Sequence, residues 1–320
     1  MPPQRTARLV VFGAAGHLGS AALRSAEAMG RPALGIVRSP RIRATLGGTR
    51  AELVVVGEAD RAPIQPGDVV LDAAAPYPTA IGDARGLEVT RLVEAHLGRV
   101  RGWLDAGAAV VHVGSFAAAA RRGDAMDTFS RAAHPYFELK DRLADALTRL
   151  GALSEPIHVV HPAALLGPWD TKPYSTCLLA RIARGDVGAL PDVLLDVLDV
   201  RDLADALVGD LDGWACARGA PTVIGGHRVA LRPLAEHVAR ARGVRDPAFV
   251  PSGAAVAAAT ALELADRARG EPAGTEALGA MLLHALDGFA RTVPARSLAR
   301  RAIEDTISDA LAWYASLGYL

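Results

Sequence analysis

One stretch near the start of the chain constrains its fold more than any other: Leu9-Val10-Val11-Phe12-Gly13-Ala14-Ala15-Gly16-His17-Leu18-Gly19-Ser20-Ala21-Ala22-Leu23. An apolar run of strand length enters a glycine-rich turn, and the turn enters an alanine-rich helix. Gly13 lets the chain leave the strand sharply, and Gly16 clears side-chain atoms away from backbone N–H groups. Gly19 lets the helix lie close on the sheet. The helix N-terminus, opening with His17 and Leu18, adds partial positive charge, so the turn suits an anion such as a pyrophosphate. A dinucleotide site is therefore expected. The glycines are spaced G-x-x-G-x-x-G rather than G-x-G-x-x-G, and the strand–turn–helix context is what gives them weight.

A chain of 320 residues can bury a sizeable core and reads as one large unit with a smaller one. Lys plus Arg and Asp plus Glu are both 35, so the formal charge is zero. That balance leaves no electrostatic footprint for nucleic acid or an anionic membrane. Cys177 and Cys216 are too few for a disulfide framework or a zinc site, which fits a reducing cytoplasm. The apolar run after Arg5 and Arg8 breaks at Gly13, short of the roughly 7–15 residues of a secretory signal core. No stretch approaches the roughly 18 apolar residues of a spanning helix. The expectation is a soluble, cytoplasmic protein of enzyme size.

Further strands are expected at Ala33–Val37, Leu53–Val56, Val69–Ala73, Ala109–Val113 and Ile157–Val160, and another at Val193–Leu198. Helical patterns fill residues 85–106 and 201–211. Continuous apolar strands separated by helices mean a parallel sheet covered on both faces. The fold class expected is α/β, a Rossmann-type doubly wound parallel sheet with a smaller, mostly helical C-terminal region. Residues 1–165 would form the cofactor-binding unit, with 190–225 returning to it, and 166–189 with 226–320 would bind substrate. Helices are expected at 233–242, 254–269 and 275–289, and a last one from Ser297 to about Leu317.

Pro135–Leu150 carries the clearest helical pattern. Proline sits in the first turn, Tyr136, Leu139, Leu143, Leu147 and Leu150 mark one face, and Gly151 stands where the helix should stop. On this helix Tyr136 and Lys140 are four residues apart and share a face. An ammonium near a phenol stabilises the phenolate, lowering the tyrosine pKa from about 10 towards working pH. Tyr136 then qualifies as a proton donor to a carbonyl being reduced. A half-buried tyrosine beside a solvated lysine would show the same spacing. Lysine, however, occurs only at 140 and 172, every other strong base being arginine. A compact ammonium is thus kept at a position where it has chemistry to do. Ser115 follows the fifth strand, at the edge where ligands of open α/β sheets bind, and a turn or cap serine would stand there equally well.

With these residues in hand, the chain resembles the extended short-chain dehydrogenases/reductases of the NAD-dependent epimerase/dehydratase group, in the dihydroflavonol-reductase-like branch. Gly13-x-x-Gly16-x-x-Gly19 is similar to the family's cofactor loop, Val113-Gly114-Ser115 to its strand-end serine, and Tyr136-x-x-x-Lys140 to its catalytic pair. His161-Pro162-Ala163-Ala164-Leu165-Leu166-Gly167-Pro168 resembles the segment passing the nicotinamide, with Pro162, Ala163 and Leu165 as contacts. Val200-Arg201-Asp202-Leu203-Ala204-Asp205-Ala206 resembles its "V-D-D-x-A-x-A" stretch, and residues 313–319 its C-terminus.

The resemblance implies that Tyr136 is the acid/base, that Lys140 holds the nicotinamide ribose and tunes Tyr136, and that Ser115 bonds the substrate carbonyl. Ala73, Ala74 and Ala75 would let the cofactor cross the end of the fourth strand. Glu58 stands where an aspartate commonly contacts adenine, and Gly114 replaces the first serine of a pair. Leu139 occupies the place of a serine before the lysine, and His96 the place of an asparagine that completes a proton relay. Tyr77, His134, Trp169 and Lys172 fall where substrate contacts are placed. Related enzymes dimerise through the helices that here are 85–106 and 135–150, so a homodimer is implied. No metal is expected, since His134, His227, His237 and His284 share no ligand spacing.

The second strand ends Val37-Arg38-Ser39, with Arg41 and Arg43 following and no carboxylate. A guanidinium suits a 2′-phosphate, so the cofactor expected is NADP(H). Relatives that bind nucleotide sugars place polar clamps at positions that here are Ala163 or Ala164, and Leu195. Residues 251–289 are likewise rich in Ala and Leu rather than basic residues. The expectation is an NADPH-dependent reductase of a small or natural-product-like ketone or aldehyde. A nucleotide-sugar epimerase or dehydratase, and a non-catalytic NADP(H)-sensing regulator of the same fold, remain as alternatives.

Overall fold

The computed structural model describes residues 7–38, 46, 49–55, 63–74, 87–121, 134–153, 155–170, 178–271 and 276–320. The strands, in chain order, are β1 (Leu9–Phe12), β2 (Ala33–Val37), β3 (Glu52–Val55), β4 (Val69–Asp72), β5 (Ala109–Val113), β6 (Ile157–Pro162) and β7 (Ala164–Leu166). They continue with β8 (Ala189–Pro191), β9 (Leu194–Asp199), β10 (Thr222–Gly225), β11 (His227–Ala230), β12 (Ala248–Val250) and β13 (Arg296–Ser297). Eight of them form one sheet in the order β13-β10-β6-β5-β4-β1-β2-β3, and every pairing in it is parallel. The doubly wound α/β fold is therefore present.

The strand order switches sides at β1: the chain continues to β2 and β3 on one side of it and then to β4 on the other. In such sheets the crevice beyond the carboxyl ends of β1 and β4 is where a ligand fits. The strands flanking it, β1 and β4, are buried along their whole length, as an interior parallel sheet requires.

Outside the main sheet, β9 pairs with β7 and β11 in a three-stranded sheet. The Val193–Leu198 run is thus a strand, but its partners lie beside the main sheet. β8 and β12 form a further pair. The helix expected from Ser297 begins only at Ile303, because Arg296–Ser297 joins the main sheet against β10 and the Leu298 N–H donates to the Gly225 carbonyl. Among the described residues, no helix is long and apolar enough to cross a membrane.

The Pro135–Ala152 helix shows why its residues are helical. His134 caps it, Nδ1 accepting from the Tyr136 N–H at 3.1 Å, with Pro135 next and Glu138 in the first turn. Leu139, Leu143 and Leu147 are buried, each burial stabilising by about 1.5–3 kcal/mol. The helix runs through Gly151 instead of stopping there. A β-carbon at Gly151 would lie 2.7 Å from the Ile157 carbonyl oxygen, so this glycine serves a close approach to β6 rather than a cap.

Candidate active site

The glycine turn lies at the β1/β4 crevice. Gly13 has φ +80°, and a β-carbon on it would lie 2.6 Å from the Ala73 carbonyl oxygen, just past β4. A β-carbon on Gly19 would meet the Gly13 carbonyl oxygen at 2.1 Å. Both positions exclude any other residue without backbone movement. Gly16 is the N-cap of the His17–Ala28 helix and offers no side-chain cap. The first-turn amides of His17, Leu18 and Gly19 have no acceptor within the helix, and a helix N-terminus of this kind at the crevice fits a pyrophosphate. Ala73 and Ala74 are half-buried at its floor, and Arg38 is exposed at the end of β2. Glu58, Ala75, Tyr77 and Lys172 lie outside the described residues.

His17 is held below its usual pKa by burial, against the opposing pull of Asp170 and of the Pro168 and Gly167 carbonyls. Those groups belong to the Gly167–Asp170 turn, which packs on the start of the first helix. Within it Trp169 has φ +74°, a conformation that is strained for a bulky residue. Two contacts hold it there. The Arg24 guanidinium lies 4.9 Å from the Trp169 ring centre, and the Trp313 Nε1–H donates to the Asp170 carbonyl at 3.0 Å.

Ser115, Tyr136 and Lys140 converge beyond the end of β5. The Ser115 and Tyr136 hydroxyl oxygens are 3.1 Å apart, and Lys140 Nζ lies 5.7 Å from the Tyr136 ring centre. Ser115 also works as a helix cap, its Oγ accepting from the Ala117 N–H at 3.2 Å. Capping fixes the hydroxyl that meets Tyr136, so the two readings of this serine hold together. Burial pushes the Lys140 ammonium down to about 8, while the Asp72 carboxylate opposes the fall.

His161, at the end of the β6 apolar run, accepts the Ser115 N–H on Nδ1 at 3.3 Å. Pro162 and Ala163 are buried beside it, and Leu165 is half-buried in β7. The absence of a serine at 114 now has a cause. A β-carbon there would lie 2.4 Å from His161 Nδ1, so the imidazole fills the space of the missing side chain.

One cluster was not foreseen as a unit. His96 Nε2 and His112 Nδ1 both lie 2.7 Å from Asp72 Oδ2, and all three residues are buried. Asp72 ends β4, and the sheet register sets His112 opposite it on β5. His96, which the resemblance sets at the place of a relay asparagine, bonds Asp72. The available signal was a polar residue inside each of two apolar strand runs.

These geometries can be set beside known proteins. No family model matches the chain. The "Putative dihydroflavonol 4-reductase" of Synechocystis sp. is 25% identical over 177 residues, which are 52% of this chain and 50% of that protein. The match thus spans about half the length of this curated relative. A nucleoside-diphosphate-sugar epimerase from Pseudomonas aeruginosa superposes with a TM-score of 0.73 at 21% identity, over 99% of this chain and 100% of that one. Yeast methylglyoxal/isovaleraldehyde reductase complexed with NADPH gives 0.62 at 16%, over 98% and 100%. Another neighbour was solved with NAD+. The fold is the Rossmann-type fold that these reductases and epimerases share. The resemblance to extended short-chain dehydrogenases/reductases, with a dihydroflavonol-reductase-like relative, is borne out.

Proposed function

We propose that the protein is an NADPH-dependent reductase of a ketone or aldehyde on a small or natural-product-like skeleton, with Tyr136 as proton donor. The observation that carries this reading is the 3.1 Å approach of the Ser115 and Tyr136 hydroxyls with Lys140 beside the ring. A bound nicotinamide would supply the two-electron reducing equivalent. The amides of His17, Leu18 and Gly19 would hold the pyrophosphate, and Arg38, exposed and with no carboxylate next to it in sequence, the 2′-phosphate. Ser115 donates to the carbonyl oxygen and polarises it. Tyr136 delivers its proton to that oxygen as negative charge develops, and the Lys140 ammonium stabilises the phenolate left behind.

The apolar side supports a carbonyl compound over a nucleotide sugar. Leu195 and Ala163, at the positions of the polar clamps, are 5% and 2% exposed and lie within the hydrophobic core. The likeness to a nucleoside-diphosphate-sugar epimerase keeps that alternative worth testing. The experiment is a panel of ketones, aldehydes and nucleotide sugars with NADPH, alongside calorimetry with UDP and dTDP. Carbonyl-dependent NADPH oxidation supports the reading; micromolar binding of either nucleotide overturns it.

A further inference from the structure

The residue that leads into the crevice floor, Asp72, makes a set of contacts that the mechanism above leaves unused. It ends β4 at 0% exposure, and its two carboxylate oxygens reach different partners. Oδ2 meets His96 Nε2, from the Leu87–Asp105 helix, and His112 Nδ1, from β5, both at 2.7 Å. Oδ1 accepts the Ala74 N–H at 3.4 Å, the turn that an aspartate makes with the residue two places on. β4 thus ends in a bend whose carboxylate is held from two other elements.

Hydrogen-bond accounting fixes the protons. A carboxylate only accepts, so His96 donates from Nε2 and His112 from Nδ1. Burial raises the Asp72 carboxyl, but the two histidines outweigh it and hold it below the ordinary carboxylate range. His96 Nδ1 is buried with no hydrogen-bond partner among the described residues. A second proton on this ring would strand an N–H in the interior, so His96 is a neutral donor. The same residue types can ligate a divalent cation, and their ligand atoms lie within 4.8 Å of one another. Ligation through Nε2 would, however, put the His96 proton on that unpartnered Nδ1, and 2.7 Å is a hydrogen-bond length.

The bend places the backbone that follows it. The Ala73 N–H donates to the Phe12 carbonyl at 3.0 Å, at the end of β1. The Ala73 carbonyl oxygen is the atom that a β-carbon on Gly13 would strike. Ala73 and Ala74 therefore lie between the glycine turn and the Asp72 carboxylate. We infer that Asp72, anchored by His96 and His112, is a positioning residue for the cofactor, fixing Ala73–Ala74 as the surface on which the dinucleotide lies. Fully buried, it acts through the backbone, and the inference rests on the cofactor reading given above.

The test reads binding, so it does not depend on the choice of substrate. NADPH titration of the parent by fluorescence tests the cofactor reading, and a parent that does not bind overturns both. The variants, each compared with the parent, test the inference. Asp72→Ala removes the acceptor of the Ala74 N–H, whereas Asp72→Asn keeps an oxygen there. Asp72→Ala should weaken NADPH binding roughly tenfold or more and speed hydrogen exchange of the Ala74 amide. Asp72→Asn should recover most of both. Unchanged affinity in folded Asp72→Ala, or equal losses in the two variants, overturns the inference, since a carboxylate that only fills space gives no rescue. Should either variant not fold, the His96 pair decides: His96→Gln keeps a donor where Nε2 stands, and His96→Leu does not. Tighter NADPH binding in His96→Gln than in His96→Leu supports the inference. Equal affinity in that pair, or one equivalent of bound metal per chain, overturns it.

Discussion

The His161 imidazole and the bare α-carbon of Gly114 fit together as a pair: a β-carbon at 114 would lie 2.4 Å from His161 Nδ1, and that nitrogen accepts the N–H of the next residue, Ser115. The ring thereby sets the height at which the Ser115 hydroxyl meets Tyr136. Gly114→Ser should push the ring away and cost about 1–3 kcal/mol, the usual penalty of overpacking. Urea unfolding measures it. Adding His161→Ala should recover part of the loss, and strict additivity of the two changes would show that they do not share the space.

Tyr136→Phe should leave the fold and NADPH affinity unchanged and lower kcat by about 10²–10⁴-fold, the range typical of a lost general acid. Lys140→Ala should weaken NADPH binding as well as turnover. Fluorescence titration and steady-state rates separate the two effects.

Lys140 also predicts a pH dependence. Its pKa in the folded protein is about 8, against 10.5 for an ordinary lysine. Reduction needs the ammonium, so kcat/KM should decline as pH rises past about 8. Stability moves the other way. Between about 8 and 10.5 the unfolded chain binds a proton that the folded protein has released, so the Lys140 contribution to stability rises with pH across that window. Thermal unfolding of the parent and of Lys140→Met, compared from pH 7 to 10, should show this rise only in the parent.

Gly19→Ala sets a β-carbon 2.1 Å from the Gly13 carbonyl oxygen, a backbone atom that cannot yield. The turn must open, and NADPH binding should be lost while the far end of the sheet stays folded. Calorimetry with NADPH, beside circular dichroism, is the check; retained affinity would separate the turn from the cofactor.

Arg38→Ala should lower NADPH affinity by tenfold or more and leave NADH affinity unchanged, because a guanidinium acts on the 2′-phosphate that only NADPH carries. Equal losses for both cofactors would assign Arg38 another role.

What the sequence determined by itself is whatever short-range periodicity controls. Six of the eight strand runs of the main sheet (β10 and β13 are the exceptions), the glycine turn and the Tyr136–Lys140 pair were legible because φ freedom, strand burial and the helical repeat act within a few residues. Boundaries set by distant partners were not legible. Gly151 resembles a helix stop until β6 is seen to pass against it, and Arg296–Ser297 becomes a strand only because β10 offers an open edge. Tertiary structure decided the surroundings of the site. His96 and His112 reach Asp72 across 24 and 40 residues, and His161 reaches Ser115 across 46. No local period links such positions. Strand order and register bring them together, and at those distances in sequence only the folded sheet fixes which buried polar groups must satisfy one another.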